Sequence, residues 1–241
     1  MTLPNNYYEV LDKGYVGLVN TMGSDLDIAN SARVSYNKLS HLDEHGNLSL
    51  KDGKLIDFLW KENHTSPFRH CVMSFEIYAP LMVARQHWKH VVASSHIDDQ
   101  VGWNESSRRY VTENEEFYIP SMEEWRMAPE NSKQGSGEPI INSWSVFFSE
   151  ELKDYVQTGL RLYEKALEQG IAPEMARLFL PAYGMYVRYR WTASLHSIMN
   201  FLQLRLDSHS QKEIRDYAEV ISKLVQEAFP YAHSLLENNN D

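Results

Sequence analysis

Apolar and polar positions alternate most clearly in "CVMSFEIYAP", residues 71–80, where Met73, Phe75 and Ile77 face one way and Ser74, Glu76 and Tyr78 the other. A period of two predicts a half-buried strand. "YYEVLDKGYVGLVNT", 7–21, predicts two short strands broken at Gly14. Elsewhere the period is helical. "GSDLDIANSARVSY" predicts a helix with Ser24 or Asp25 as N-cap, and "LIDFLWKEN" a second helix after a polar, glycine-punctuated loop over 38–54. After a turn around Pro67, Pro80 suits the first turn of "PLMVARQHWKHVVAS". There Leu81, Ala84, Trp88 and Val91 form an apolar stripe, while Gln86, Lys89 and His90 share a polar face with Arg85 nearby, the look of one wall of a site.

The C-terminal third reads as helices. "SEELKDYVQTGLRLYEKALEQG" ends at Gly170, and "APEMARLFLP" is short. "WTASLHSIMNFLQLRL" puts Leu195, Ile198, Met199 and Leu202 on one face and His196, Asn200 and Gln203 on another. A capping box at Ser210 and Glu213 opens a last helix with Ile214, Tyr217, Ala218, Ile221, Leu224 and Val225 inward. Between these blocks, 95–103 reads as a loop, "EEFYIP" as a short strand and 121–148 as an irregular surface excursion. Without a βαβ rhythm the expectation is α+β, an antiparallel sheet with segregated helices, as a single domain over 1–241.

Composition narrows the function. Hydrophobic residues at 43% and charged residues at 23% suit a soluble chain with a sizeable core. "MTLPNNYYEV" has neither a basic segment nor an apolar run, and no apolar stretch is long enough for a bilayer. The cytoplasm is therefore expected, with no membrane partner. Cys71 is the lone cysteine, which excludes an internal disulfide and a thiolate zinc site. A net charge of −10 argues against nucleic acid as a partner but leaves room for a small anion held by clustered arginines. Positive charge gathers at 85–90, 108–109, 177, 188–190 and 205.

Candidate chemistry follows that charge. In "NESSRRY", 104–110, Arg108 and Arg109 supply planar donor forks suited to phosphate, Ser106 and Ser107 add hydroxyl donors, and Glu105 can accept from a ribose hydroxyl or an imide N–H. The competing reading is a solvated helix end with salt bridges. His64, His70, His87, His90 and His96 fall close together. His87 and His90 stand three apart on a helix, but no H-E-x-x-H spacing occurs and no metal is expected. Ser107 lacks a G-x-S-x-G elbow, and Cys71 reads as a core thiol. No glycine fingerprint of a Rossmann or P-loop scaffold is present.

With those residues in hand, a family resemblance emerges. "VLDKGYVGLV", "GSDL" and "ARVSY", then "HTSPFRH" and "APLMVARQ", then "NESSRRY" with Phe117-Tyr118-Ile119-Pro120, then "MARLFLP" and "WTASLHSIMNFLQLRLDSHSQKEI", occur in this order over nearly the whole chain. Together they resemble the flavin-dependent thymidylate synthase family. The resemblance implies the thymidylate synthase-complementing-protein fold and reductive methylation of dUMP to dTMP. Methylenetetrahydrofolate would give the carbon, FAD would carry it with the hydride, and NADPH would reduce the flavin. No enzymic cysteine would attack the uracil. A homotetramer with shared active sites is likewise implied.

By the same resemblance, Gln86, Glu105, Ser107, Arg109, Arg177 and Arg205 match substrate-binding positions, with Lys89, Ser106 and Arg108 in the same segments and His209 near the nucleotide. Arg205 matches the catalytic arginine that stabilises the ionised imide, which would make the ring carbon nucleophilic. His64, Ser66, His90, Glu105 and Asn200 match flavin contacts. Lys89, Ser194 and His196 stand where the family has Arg, Asn and Arg. The family's Arg-His-Arg triplet is here Lys89-His90-Val91, and the longer segment 92–106 separates it from Ser107. Lys89 keeps the charge but loses the bidentate fork. These departures motivate two alternatives: a diverged enzyme acting on another pyrimidine base or making another one-carbon product, or a nucleotide- or flavin-binding protein without turnover. They also single out 95–103, with His96, Asp98 and Asp99, as a loop that would reshape the pyrimidine or folate entrance.

Overall fold

The computed structural model describes residues 4–94, 102–106, 115–130 and 135–236, with 90–94 described by backbone alone. Among the described residues, five strands form an antiparallel sheet in the order β1–β2–β3–β5–β4. They are β1 Tyr7–Val10, β2 Gly14–Met22, β3 Val72–Pro80, β4 Gly102–Glu105 and β5 Tyr186–Ser194. The break falls in the turn at 11–13, and Gly14 opens β2; it is glycine for a steric reason, since a Cβ there would lie 1.9 Å from the Tyr217 hydroxyl and 2.7 Å from the Tyr78 carbonyl oxygen. In β3 the alternation holds, with Met73, Phe75 and Ile77 fully buried. Tyr78 is also buried, against Tyr186, with ring centroids 4.9 Å apart.

The helices are α1 Asp25–Arg33, α2 Leu50–Lys61, α3 Leu81–Ser94, α4 Ser143–Glu168, α5 Pro173–Ala176, α6 Leu195–Arg205, α7 Lys212–Ala228 and α8 Pro230–Ser234. The expected apolar faces of α6 and α7 are buried together with the sheet residues Val16, Phe75, Ile77 and Trp191 in one core. The fold class is α+β.

Several local expectations are corrected. Trp191–Ser194 is strand, not helix: Val187, Tyr189, Trp191 and Ala193 of β5 are buried while Arg188 and Arg190 are exposed. Pro80 closes β3, and α3 begins at Leu81. On α3 the buried positions include Val83, Ala84 and His87, whereas Trp88 is exposed, so the stripe is rotated from the one expected. α2 starts earlier than expected, capped by Ser49, which accepts the Asp52 N–H. Its Gly53 reads as a breaker but lies against Tyr231, whose ring a Cβ would approach to 2.7 Å. The Ser210–Glu213 capping box does not form. Gln211 precedes α7, the Ser210 hydroxyl donates to the Leu204 carbonyl, and Glu213 turns to Arg126 and Gln211. In "EEFYIP" Phe117 forms an isolated bridge to Met185. The excursion folds back on itself: Arg126 bridges Pro139, Ile140 N–H donates to the Trp125 carbonyl at 2.7 Å, and the Trp125 indole donates to Ser149 on α4 at 2.8 Å.

Candidate active site

The C-terminal end of α6 places Arg205 in a cleft of about 540 Å³. Gln86 of α3 enters from one side, and Asp207, His209 and Gln211 from the loop between α6 and α7. Gly135 of the excursion completes the rim; its φ of +78° and its approach to the His209 backbone explain the missing side chain. The Arg205 Nε is buried and has no hydrogen-bond partner among the described residues. Desolvation lowers the pKa of this guanidinium from its ordinary value. A partly buried guanidinium with an open N–H suits a site for an anion. The loop is ordered by Asp207, which accepts the His209 N–H at 2.7 Å and its Nδ1 at 2.9 Å. The His209 backbone bond is the leading cause that holds the Asp207 carboxyl below its ordinary value.

Beside the cleft, β4 and α3 enclose an aromatic cluster. The buried His87 ring lies 4.3 Å from Trp191 and 4.5 Å from Phe201, and its Nδ1 is 3.1 Å from the Tyr189 hydroxyl. Trp103 stacks on Tyr189 at 4.3 Å. His87 is thus a core residue. Among the described residues no group of three His, Cys, Asp or Glu converges on a metal position. The start of "NESSRRY" is strand rather than helix end: Asn104 pairs with Arg190 and Glu105 with Tyr189, and Ser106 N–H donates to the Arg188 carbonyl at 2.8 Å. Strand alternation puts Asn104 and Glu105 on opposite faces of the sheet. Desolvation raises the Glu105 carboxyl, against a lowering hydrogen bond from Trp103.

A second groove, about 490 Å³, lies between α1, α2 and the turn at 66–70. His64, Ser66 and His70 line it with Ser35, Tyr36 and Phe58, and Phe58 meets His64 edge-on at 5.7 Å. Trp60 approaches both Phe68 of the turn, at 5.4 Å, and His196 of α6, at 6.4 Å. The half-buried His196 and Asn200 therefore sit on the helix that ends at Arg205, about 14 Å of helix spanning His196 to Arg205.

The other expected residues are placed as follows. Ser194 is fully buried, and its hydroxyl accepts the Ser197 N–H as the cap of α6. Lys89 is exposed on α3. Arg177 is exposed in the turn after α5, where its Nε donates to the Glu174 carbonyl at 3.2 Å, and it does not line the Arg205 cleft. Ser107, Arg108, Arg109, His96, Asp98 and Asp99 lie outside the described residues, as does the His90 side chain. Cys71 is buried, donates to the Ser24 carbonyl at 3.6 Å, and is pushed up to about 12, chiefly by burial. Its thiolate is suppressed at neutral pH. Gln211, Glu213 and Arg126 are the site neighbours that sequence reading missed. Glu213 was spent on the capping box, and the Gln86–Gln211 contact spans 125 positions, beyond any local pattern.

Residues 17–231 match the family model described as thymidylate synthase complementing protein. The flavin-dependent thymidylate synthase of Thermotoga neapolitana is 38% identical over 227 residues, 93% of this chain and 91% of that protein. The protein of the same name from Thermus thermophilus is 38% identical, covering 95% of this chain and 78% of its own. Among solved structures, a UMP/dUMP methylase, PolB, from Streptomyces cacaoi bound with 5-Br dUMP superposes with a TM-score of 0.77 at 27% identity, over 96% of this chain and 97% of that one. Fold, ordered motifs and matched length agree: the chain belongs to the flavin-dependent thymidylate synthase (thymidylate synthase complementing protein) family.

Proposed function

We propose that this protein methylates dUMP reductively to dTMP, taking the carbon from methylenetetrahydrofolate, with FAD as carrier and NADPH as reductant. The observation that carries the reading is the buried Arg205 Nε, unpartnered among the described residues, in a cleft shared with Gln86 and His209, in a chain of this family. The nucleotide would enter there. Arg205 is a guanidinium positioned to stabilise the ionised imide, and Gln86 and His209 orient the ring and sugar. Arg109, Ser107 and Arg177 are assigned to the phosphate in this reading, with Lys89, Ser106 and Arg108 beside them and Glu105 shared by nucleotide and flavin. Because Arg177 lies away from the cleft within one chain, the assignment calls for sites that draw residues from neighbouring subunits, in keeping with the homotetramer that the family resemblance implies.

The groove at His64 and Ser66 suits a flavin, since it couples an aromatic wall at Phe58 and Tyr36 with hydroxyl and imidazole donors. His64, Ser66, His90, His196 and Asn200 would hold it, and Lys89 would face its phosphates. When bound, that group supplies the hydride and carries the one-carbon unit; the chain's own residues orient it and exclude water. The suppressed Cys71 thiol fits a reaction in which no cysteine adds to the ring.

A second reading has one observation in its favour: the solved relative PolB is a methylase of UMP as well as dUMP. Competition separates the two. Purified protein should take up FAD, be bleached by NADPH, and prefer dUMP to UMP and to dCMP in turnover. Preference for UMP would favour the second reading, and failure to bind FAD would reject both.

A further inference from the structure

Arg126 and Glu213 are far apart in sequence and belong to elements with no evident role in the chemistry. Glu213 is 4% exposed, and both of its oxygens are engaged: Oε1 accepts from Arg126 Nη2, and Oε2 accepts from Gln211 Nε2 at 2.8 Å. Gln211 Oε1 in turn accepts from Gln86 Nε2. The polarity of this chain is forced. A carboxylate only accepts, so Gln211 must point its amide nitrogen at Glu213 and its oxygen at Gln86. Gln86 therefore spends an N–H on Gln211, and its carbonyl oxygen is left as an acceptor for a donor on the nucleotide. Arg126 is itself clamped, Nε donating to Ser136 at 2.7 Å and Nη1 to the Glu124 carbonyl at 2.9 Å. The irregular excursion is thereby tied to the substrate cleft.

We propose that Arg126 and Glu213 are positioning residues which, through Gln211, set the orientation of the Gln86 amide and so the affinity for the pyrimidine nucleotide. The proposal rests on the reading of the Arg205 cleft as the nucleotide site. It is tested on FAD-loaded protein by measuring the dissociation constant for dUMP and the melting temperature together. Arg126→Met combined with Glu213→Met removes both charges at similar volume, which spares the fold the cost of one unpaired buried ion. Gln211→Met breaks the relay and keeps both charges of the ion pair, with the loss of one donor to Glu213. Each should weaken dUMP binding about tenfold, the scale of one lost hydrogen-bond relay to a charged group. FAD affinity should stay as in the wild type. Adding Gln211→Met to the double variant should cost nothing further, because one relay cannot be broken twice. Wild-type dUMP affinity in a folded Gln211→Met protein overturns the proposal alone. If the unaltered protein binds no dUMP, the reading of the cleft itself falls.

Discussion

Arg205 ends α6 with a guanidinium whose pKa desolvation lowers and whose Nε has no partner among the described residues. Such a group is tolerated where a ligand completes it. Asp52 shows the opposite condition, a buried carboxylate with every need met. Desolvation would raise its pKa, but hydrogen bonds from Ser49, Ser40 and Arg33 outweigh it and hold the group below its ordinary 3.8. This network joins α1 to α2, the two walls of the His64 groove. A depressed carboxyl stabilises the fold fully above the unfolded pKa and loses that contribution as pH falls through the lower folded value. Asp52→Asn should cost about 3 kcal/mol at neutral pH. The gap between its urea midpoint and that of the wild type should narrow as pH falls below the ordinary 3.8 and through the lower folded value, as the native carboxylate protonates. A gap that stays constant at every acidic pH where both proteins fold would contradict the assignment.

At the scale of elements, glycines in contact with another segment are the informative positions. Gly159 lies inside α4, where alanine would ordinarily gain about 1 kcal/mol. Here a Cβ would stand 2.7 Å from the Phe179 carbonyl oxygen and 2.9 Å from the Pro181 ring, in the segment that follows Arg177. Gly159→Ala should therefore destabilise by about 1–3 kcal/mol in denaturant unfolding; a gain would show that the segment moves freely. What could be read from sequence follows the same division. The buried face of α7 and the alternation of β3 were legible because each repeats one period along one element. β5 is hidden in the sequence although "YVRYRWTAS" alternates, because Arg188 and Arg190 read as a cluster of charge and Trp191 reads as part of the helix behind it. Gly53 hid the first turns of α2, since a glycine needed for packing against Tyr231 looks locally like a loop residue. In the site, Gln86, Arg205 and His209 were named from motifs, and the structure brings them to one cleft. Gln211 and Arg126 were not, since their partners are chosen by tertiary approach alone.

Taken as a whole, the chain carries a net charge of −10 and yet sets Arg205 at the end of α6 and the exposed Arg188 and Arg190 on one face of β5. An acidic body with a few fixed cations favours small, well-defined anions over polyanions. Among the described residues no helix is long and apolar enough to cross a membrane. α6 runs from His196, whose ring lies 6.4 Å from Trp60 of α2, to Arg205 in the proposed nucleotide cleft. The most direct measurement is product formation from dUMP, methylenetetrahydrofolate, FAD and NADPH by the unaltered protein and by Arg205→Ala. The unaltered protein should form dTMP, and Arg205→Ala should lose about 10²–10³-fold in kcat/KM while still binding FAD. Absence of dTMP from the unaltered protein, or an unchanged rate in Arg205→Ala, would contradict the role given to this cleft.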